Sequence, residues 1–288
     1  MDRHLEFMAT VPQEQLKVFV DTLLEKGGLS ENLSISDVYK QYGENYSAYW
    51  WRIEQEYREF GSNTFVNIFS EPDSYEEILK KVLKQCKVKY YSSDSIEEME
   101  NQLLEKIIKD MWEKLSQSER IAILSDLDGM KDYNFDAIGG LTSSVLIQLF
   151  RAGGFASYKI TLIIVNAMAK AILGRGLTLA ANAGLARVLS IATGPIGIIL
   201  TALWSIYDLA GPAYRVIIPC TILIAAYRKM EENNTAVDNE YSSDSTEENS
   251  GLTGITVATA VTTTSSYIPK FIKGMKALGK YNSIFKDI

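Results

Sequence analysis

Val188 to Tyr207 is a run of 20 residues without a charge, closed by Arg187 on one side and Asp208 on the other. A segment of that length can cross a hydrocarbon core of about 30 Å or fill the centre of a helical bundle. It carries Gly194-Pro195-Ile196-Gly197 near its middle, which predicts a break or kink, so a hairpin or two helices is as good a reading as one span. The run belongs to a longer stretch of the same character. Residues 141–228 hold eight glycines, abundant alanine and the cations Arg151, Lys159, Lys170, Arg175, Arg187, Arg215 and Arg228 against Asp208 alone, a net charge of +6.

The flanking regions have the opposite sign. Residues 1–140 carry 16 basic and 27 acidic side chains, net −11, and residues 229–288 carry 6 and 8, net −2. An acidic front half argues against nucleic acid as a partner, because phosphate binding needs a basic surface that displaces counterions. The basic, apolar middle suits an anionic lipid surface instead. One histidine, His4, and two cysteines, Cys86 and Cys220, leave too few ligands for a Cys/His zinc site. They also leave no interior imidazole for a Ser-His-Asp or Cys-His-Asn arrangement, and no cofactor is expected. Met1-Asp2-Arg3-His4-Leu5-Glu6 lacks the pattern of a secretory signal. The expected address is the cytoplasm, with peripheral or inserted attachment to the inner membrane left open, and a reducing compartment keeps both cysteines as thiols.

Helical periodicity dominates the front half. Thr10-Val11-Pro12-Gln13 predicts a helix start, and Leu16, Val18, Phe19, Val20, Leu23 and Leu24 carry that helix to Gly27-Gly28. Tyr39 to Phe60 reads as a helix rich in aromatics, ended by Gly61-Ser62-Asn63-Thr64, with an apolar segment from Phe65 to Phe69 after it. Trp50 and Trp51 cannot face one way, so core packing is preferred to a binding face, with Arg52, Glu54, Glu56, Arg58 and Glu59 read as the solvated side. Ser74-x-x-Glu77 and Ser95-x-x-Glu98 open two further helices, the second bearing Leu103, Leu104, Ile107, Ile108, Met111, Trp112 and Leu115. No alternating strand pattern is present. Val216 to Tyr227 has the length of a core helix or a re-entrant segment.

Beyond this point the composition turns polar. Glu231 to Ser250 reads as an acidic linker, and Gly251 to Ile268 as an uncharged, threonine-rich stretch. From Tyr267 to Phe285, Ile268, Phe271, Ile272, Met275, Leu278 and Phe285 fall within a sector of about 140° while Lys270, Lys273, Lys276 and Lys280 fall on another. That is a basic amphipathic helix, whose Lys270, Phe271, Lys273, Met275, Lys276 and Lys280 are the expected contacts to an anionic membrane or a partner groove.

Three short patterns invite sharper readings. Leu124-Ser125-Asp126-Leu127-Asp128-Gly129 looks like the D-x-D-G loop of haloacid-dehalogenase-type phosphatases, but it follows a helix where that loop needs a buried strand, so an acidic helix terminus is preferred. Gly174-Arg175-Gly176 satisfies neither nucleotide-loop pattern, whereas Gly176, Ala180 and Gly184 have the small-xxx-small spacing that lets two helices approach closely. Tyr91-Ser-Ser-Asp-Ser95-x-Glu-Glu98 recurs as Tyr241-Ser-Ser-Asp-Ser245-x-Glu-Glu248, a reused helix-capping turn rather than a phosphoacceptor cluster.

Several longer strings carry a family resemblance: Leu5-Glu6-Phe7-Met8 through Asp21-Thr-Leu-Leu24, Tyr49-Trp-Trp-Arg-Ile53 through Phe60-Gly-Ser-Asn-Thr-Phe-Val-Asn-Ile-Phe69, Arg151-Ala-Gly-Gly-Phe-Ala-Ser-Tyr158, Leu173-Gly-Arg-Gly-Leu-Thr-Leu-Ala-Ala-Asn-Ala183 and Leu209-Ala-Gly-Pro-Ala-Tyr-Arg-Val216. Over residues 2–228 the chain resembles the YaaW family, uncharacterised bacterial proteins of which a part is grouped by similarity with ubiquinol-cytochrome c chaperones. The resemblance implies an all-helical fold and supplies no reaction or catalytic residues.

The expected protein is all-α, with an N-terminal helical motif over 1–38, an acidic helical domain over 39–140, an apolar, close-packed helical region over 141–228, a linker over 229–266 and the basic helix over 267–288. Its expected role is non-enzymatic: a membrane-associating or partner-binding assembly or stress factor, with an unidentified protein partner and a homo-oligomer both open. The alternatives are a membrane-permeabilising effector using Gly176 to Tyr207 and a hydrolase using the carboxylates of Asp126 and Asp128.

Overall fold

Capping side chains set where the front helices begin. The structure is a computed structural model, and it describes residues 1–27, 36–62, 71–127, 142–174, 183–204 and 213–243. The chain opens with a 3₁₀ turn, Arg3–Thr10, capped by the Asp2 side chain, which accepts from the His4 amide at 2.9 Å. Helices α1 (Gln13–Gly27) and α2 (Asp37–Tyr42) follow, then a second 3₁₀ turn at Tyr46–Tyr49 that runs into α3 (Trp50–Gly61). Ser74 and Glu77 form a reciprocal capping box at the start of α4 (Tyr75–Gln85), and Ser116 and Glu119 form another at the start of α6 (Gln117–Asp126). Between them α5 (Ile96–Lys114) starts with Ser95 accepting from the Glu98 amide at 3.2 Å. The apolar half supplies α7 (Ser143–Arg151), α8 (Gly154–Leu173), α9 (Ala183–Trp204) and α10 (Tyr214–Ser243). The fold is all-α, and no strand occurs among the described residues.

Helix α10 is the axis of the bundle. It packs against α8, α1, α5, α9, α3 and α4, and every residue from Val216 to Tyr227 is buried. Helix α8 is its companion, with Lys159 to Ala169 buried without interruption and its longest contact made with α9. A helix apolar on all sides can be satisfied inside such a bundle, and the amphipathic front helices supply the outer layer. Their inner faces meet in an aromatic group in which the Phe19 ring lies edge-on to Trp50 at 5.4 Å and 5.9 Å from Tyr57. Closeness at the α3–α4 contact requires glycine: a Cβ added at Gly61 would lie 2.4 Å from Cδ1 of the fully buried Ile78.

Several elements differ from the sequence expectation. The aromatic stretch from Tyr39 is two helices and a 3₁₀ turn rather than one helix, broken where Gly43 takes φ +55°. Thr10 does not cap α1; its hydroxyl donates to the Phe7 carbonyl at 2.6 Å and closes the preceding turn. Helix α9 runs unbroken through Pro195, because proline removes one intrahelical amide while neighbouring turns keep theirs. Helix α10 continues past residue 229 to Ser243, with Asn233 buried and donating to the Ser157 hydroxyl at 3.2 Å. Between α7 and α8 the chain turns through Gly153 (φ +76°) and Gly154 (φ +65°), positive angles that glycine adopts without strain.

Candidate functional site

The two halves of opposite charge are joined by ion pairs at their contact. Glu100 stands in the centre of the apolar face of α5, between Ile96 and Leu103, and is almost completely buried. Its Oε1 accepts from the Tyr75 hydroxyl at 2.6 Å and its Oε2 from Arg228 Nε at 2.7 Å. Arg228, on α10, also donates to the His4 carbonyl at 2.6 Å and lies 4.2 Å above the Phe7 ring. Burial pushes the Glu100 carboxyl above the usual carboxylate range, opposed by the charge of Arg228 and the Tyr75 hydroxyl. Asp2 completes the joint: one carboxylate oxygen caps the 3₁₀ turn, the other accepts from the Tyr75 amide at 2.7 Å, and the Asp2 amide donates to Glu54 at 2.9 Å. A second tie lies at the end of α7, where Arg151 makes a two-pronged pair with Glu98 at 2.6 and 2.9 Å and also bonds Glu105. The hydrogen bond from Arg151 holds the Glu98 carboxyl below its ordinary range.

The other buried carboxylates of the front half are engaged in the scaffold. Glu54 and Glu56, read from the sequence as solvated, are buried, and pair with Arg58 at 3.2 Å and Arg52 at 2.8 Å one helical turn away. The correction has a simple cause: α3 is enclosed by the N-terminal turn, α1, α4 and α10, leaving Trp51 and Gln55 facing outward. Cys86 and Cys220 are free, buried thiols, and burial raises Cys86 to about 12. Helix α6 ends at Asp126, so the Asp126 backbone belongs to a helix end as expected, while Asp128 lies outside the described residues. In the first copy of the repeat, the Tyr91 amide donates to Asp94 at 2.8 Å and Ser95 caps α5, as a helix-start turn should. Among the described residues no group of His, Cys, Asp and Glu side chains is placed to hold a metal ion.

Helix α9 keeps one face at the surface. Leu189, Ala192, Ile196 and Ile199 are buried, and the approach to α8 is close enough that a Cβ added at Gly197 would lie 3.8 Å from the Ala171 Cβ. At 100° per residue the exposed positions Arg187, Ser190, Gly194, Ile198 and Ala202 fall on the opposite side, within a sector of about 120°. A solvated face normally carries charged or amide side chains, yet beyond Arg187 this stripe has none over about 22 Å, and Ile198 is 60% exposed. Arg151 and Arg228 are drawn into the joints with α5, whereas Lys170 and Arg187 are exposed and neither pairs with an acid among the described residues. Arg215 is exposed at the start of α10. No single described helix is long and apolar enough to cross a membrane; the bent pair Ser143–Arg151 and Ala156–Ile172, turned through 110°, passes that test only together.

Comparison with known proteins places this architecture. A UPF0174 protein of Helicobacter pylori strain J99 is 38% identical over 232 residues, covering 79% of this chain and 91% of that relative. The chain belongs to the UPF0174 family. A second UPF0174 protein of the same strain is 35% identical over 207 residues, covering 70% of this chain and 98% of its own length, and the UPF0174 protein YaaW of Escherichia coli K12 is 29% identical over 237 residues, covering 80% and 94%. The family model described as Ubiquinol-cytochrome C chaperone matches residues 81–222, from α4 into α10. No solved structure matches. The YaaW resemblance read from the sequence is thereby borne out, with its chaperone-like region.

Of the residues singled out from sequence, Gly184 lies at the start of α9, while Gly176 and Ala180 fall outside the described residues. Lys270, Phe271, Lys273, Met275, Lys276 and Lys280 fall outside them as well. Sequence reasoning did not find Glu100, Arg228 or the outer stripe of α9. The first was visible as an acid inside an apolar stripe, and the stripe as a spacing of exposed positions that only the partner helix defines.

Proposed function

We propose that this UPF0174 protein is a non-enzymatic, chaperone-like assembly or stress factor that acts by binding, in the cytoplasm and against the inner membrane, with its apolar half as the working part. The observation that carries this reading is the outer stripe of α9, an exposed uncharged helix face in the one region of the chain with excess positive charge. The acidic half supports it in a different way: its buried carboxylates are engaged in ion pairs, Glu54 and Glu56 within α3 and Glu100 between α5 and α10, which suits a scaffold better than a catalytic centre. Likeness to a chaperone family adds a protein client as the general kind of partner. Fractionation of native cells tests the reading. The protein should sediment with membranes and be released by carbonate at high pH, as a surface-bound protein is; recovery wholly in the soluble fraction would refute membrane attachment.

A permeabilising role is favoured by one observation, which lies not in Gly176 to Tyr207 but in the bent apolar pair of α7 and α8. Using it would require α8 to leave a site where it is buried on all sides, so the reading ranks second. Leakage of dye from liposomes at neutral pH would promote it.

A further inference from the structure

We infer that the outer face of α9 is an interfacial contact for anionic phospholipid, lying in the plane of the membrane rather than crossing it; this rests on the membrane reading above. Ser190, Gly194, Ile198 and Ala202 form a shallow face, since a Cβ added at Gly194 would meet nothing within 4 Å, and Ile198 projects from it as a large side chain, with Ile191 half-buried in the same sector. Arg187 continues the same stripe at its start, and Lys170 is exposed one residue before Ala171, which abuts Gly197 in the middle of α9. Exposed cations around an uncharged face complement a layer of negative headgroups over an acyl boundary, where an apolar face sinks about 5–10 Å.

Other occupants fit less well. A second copy packing face to face would offer Arg187 and Lys170 no acid on the stripe to answer them. A spanning arrangement would strip α9 from α8, exposing Leu189, Ala192, Ile196 and Ile199 together with the surface they cover. Lying flat leaves that contact intact. It also explains why the cations of the apolar half divide as they do, with Arg151 and Arg228 holding the acidic half in place while Lys170 and Arg187 remain outward.

The test uses full-length protein and flotation with two kinds of vesicle, pure phosphatidylcholine and phosphatidylcholine with 30% phosphatidylglycerol as a roughly physiological anionic fraction. The parent should float with the anionic vesicles and not with the neutral ones. Ile198→Asp should weaken partition by roughly tenfold or more, since it places a charge where an apolar side chain enters the interface. Lys170→Gln and Arg187→Gln should each weaken it about fivefold at low salt, and the losses should shrink as ionic strength rises. All three positions are exposed, so the variants should keep the parent's thermal midpoint, and Gln55→Asp on the acidic half serves as a control without effect. If the parent floats but Ile198→Asp and the two cation variants float equally well, the α9 face is refuted while membrane attachment stands. Equal binding to neutral vesicles overturns the anionic commitment, and a parent that binds neither vesicle overturns both readings.

Discussion

Replacing Arg228 with methionine isolates the joint on which the contact between the halves depends. The substitution keeps a long apolar stem beside Phe7 but removes the donor to Glu100 at 2.7 Å, the donor to the His4 carbonyl at 2.6 Å and the cation over the Phe7 ring. It leaves a buried carboxylate held by the Tyr75 hydroxyl at 2.6 Å without its cation. Breaking a buried pair by removing one member costs roughly 3–5 kcal/mol, chiefly because the other charge stays behind uncompensated. Losing that cation raises a carboxyl that burial has already raised, so in the variant the folded state holds its proton to a higher pH than the unfolded chain does. Stability of Arg228→Met should therefore increase as pH falls through the folded value toward the ordinary carboxylate range of the unfolded chain, by up to about 1.4 kcal/mol per pH unit, whereas the parent gains less. Adding Glu100→Gln should restore about 1–3 kcal/mol by removing the stranded charge. Urea unfolding followed by helical circular dichroism at pH 5.5 and 7.5 measures all of these. A cost under about 1 kcal/mol, or a double variant no better than Arg228→Met, would refute the claim that this joint holds the halves together.

Three further outcomes follow from individual contacts. Gly61→Ala should destabilise by about 1–3 kcal/mol, because the new Cβ meets the enclosed Ile78 side chain, and a Gly61→Ala/Ile78→Ala pair should lose less than the two single changes summed, as read by thermal unfolding. Ser74→Ala removes one half of a capping box and should cost about 1 kcal/mol in the same assay. Arg151→Gln should cost about 1 kcal/mol at neutral pH and increase amide exchange in α7; since Glu98 is held below its ordinary 4.5, the parent keeps this contribution above that value and loses it as pH falls through the lowered folded value, below which parent and variant should converge.

Local chemistry was legible in the sequence wherever a pattern is decided within a few residues. Ser74-x-x-Glu77, Ser95-x-x-Glu98 and the apolar face of α5 are of this kind, and each lies where the spacing placed it. Glu54 and Glu56 defeated the same reasoning because their solvation depends on which helices close over α3, a fact not contained in α3 itself. Pro195 was read as a break from its own backbone limits, yet packing of Ala192, Ile196 and Ile199 on α8 holds both sides of it in one helix. In the same way α10 outruns the polar composition that begins at Lys229, since Met230 and Asn233 are buried against the bundle. The candidate face on α9 was hidden for a related reason: an uncharged run looks alike on all sides until a neighbour covers one of them.

The most direct test of the account places an environment-sensitive fluorophore on the stripe itself. Cys86 and Cys220 are buried thiols, so a cysteine introduced by Ile198→Cys, at a position 60% exposed, can be labelled selectively. The same label at Gln55→Cys, on the outward side of α3, reports the acidic half. On addition of anionic vesicles the account predicts a blue shift of the probe at 198, reversed by high salt, with no change at 55. An unchanged spectrum at 198 while the protein floats with those vesicles would contradict it.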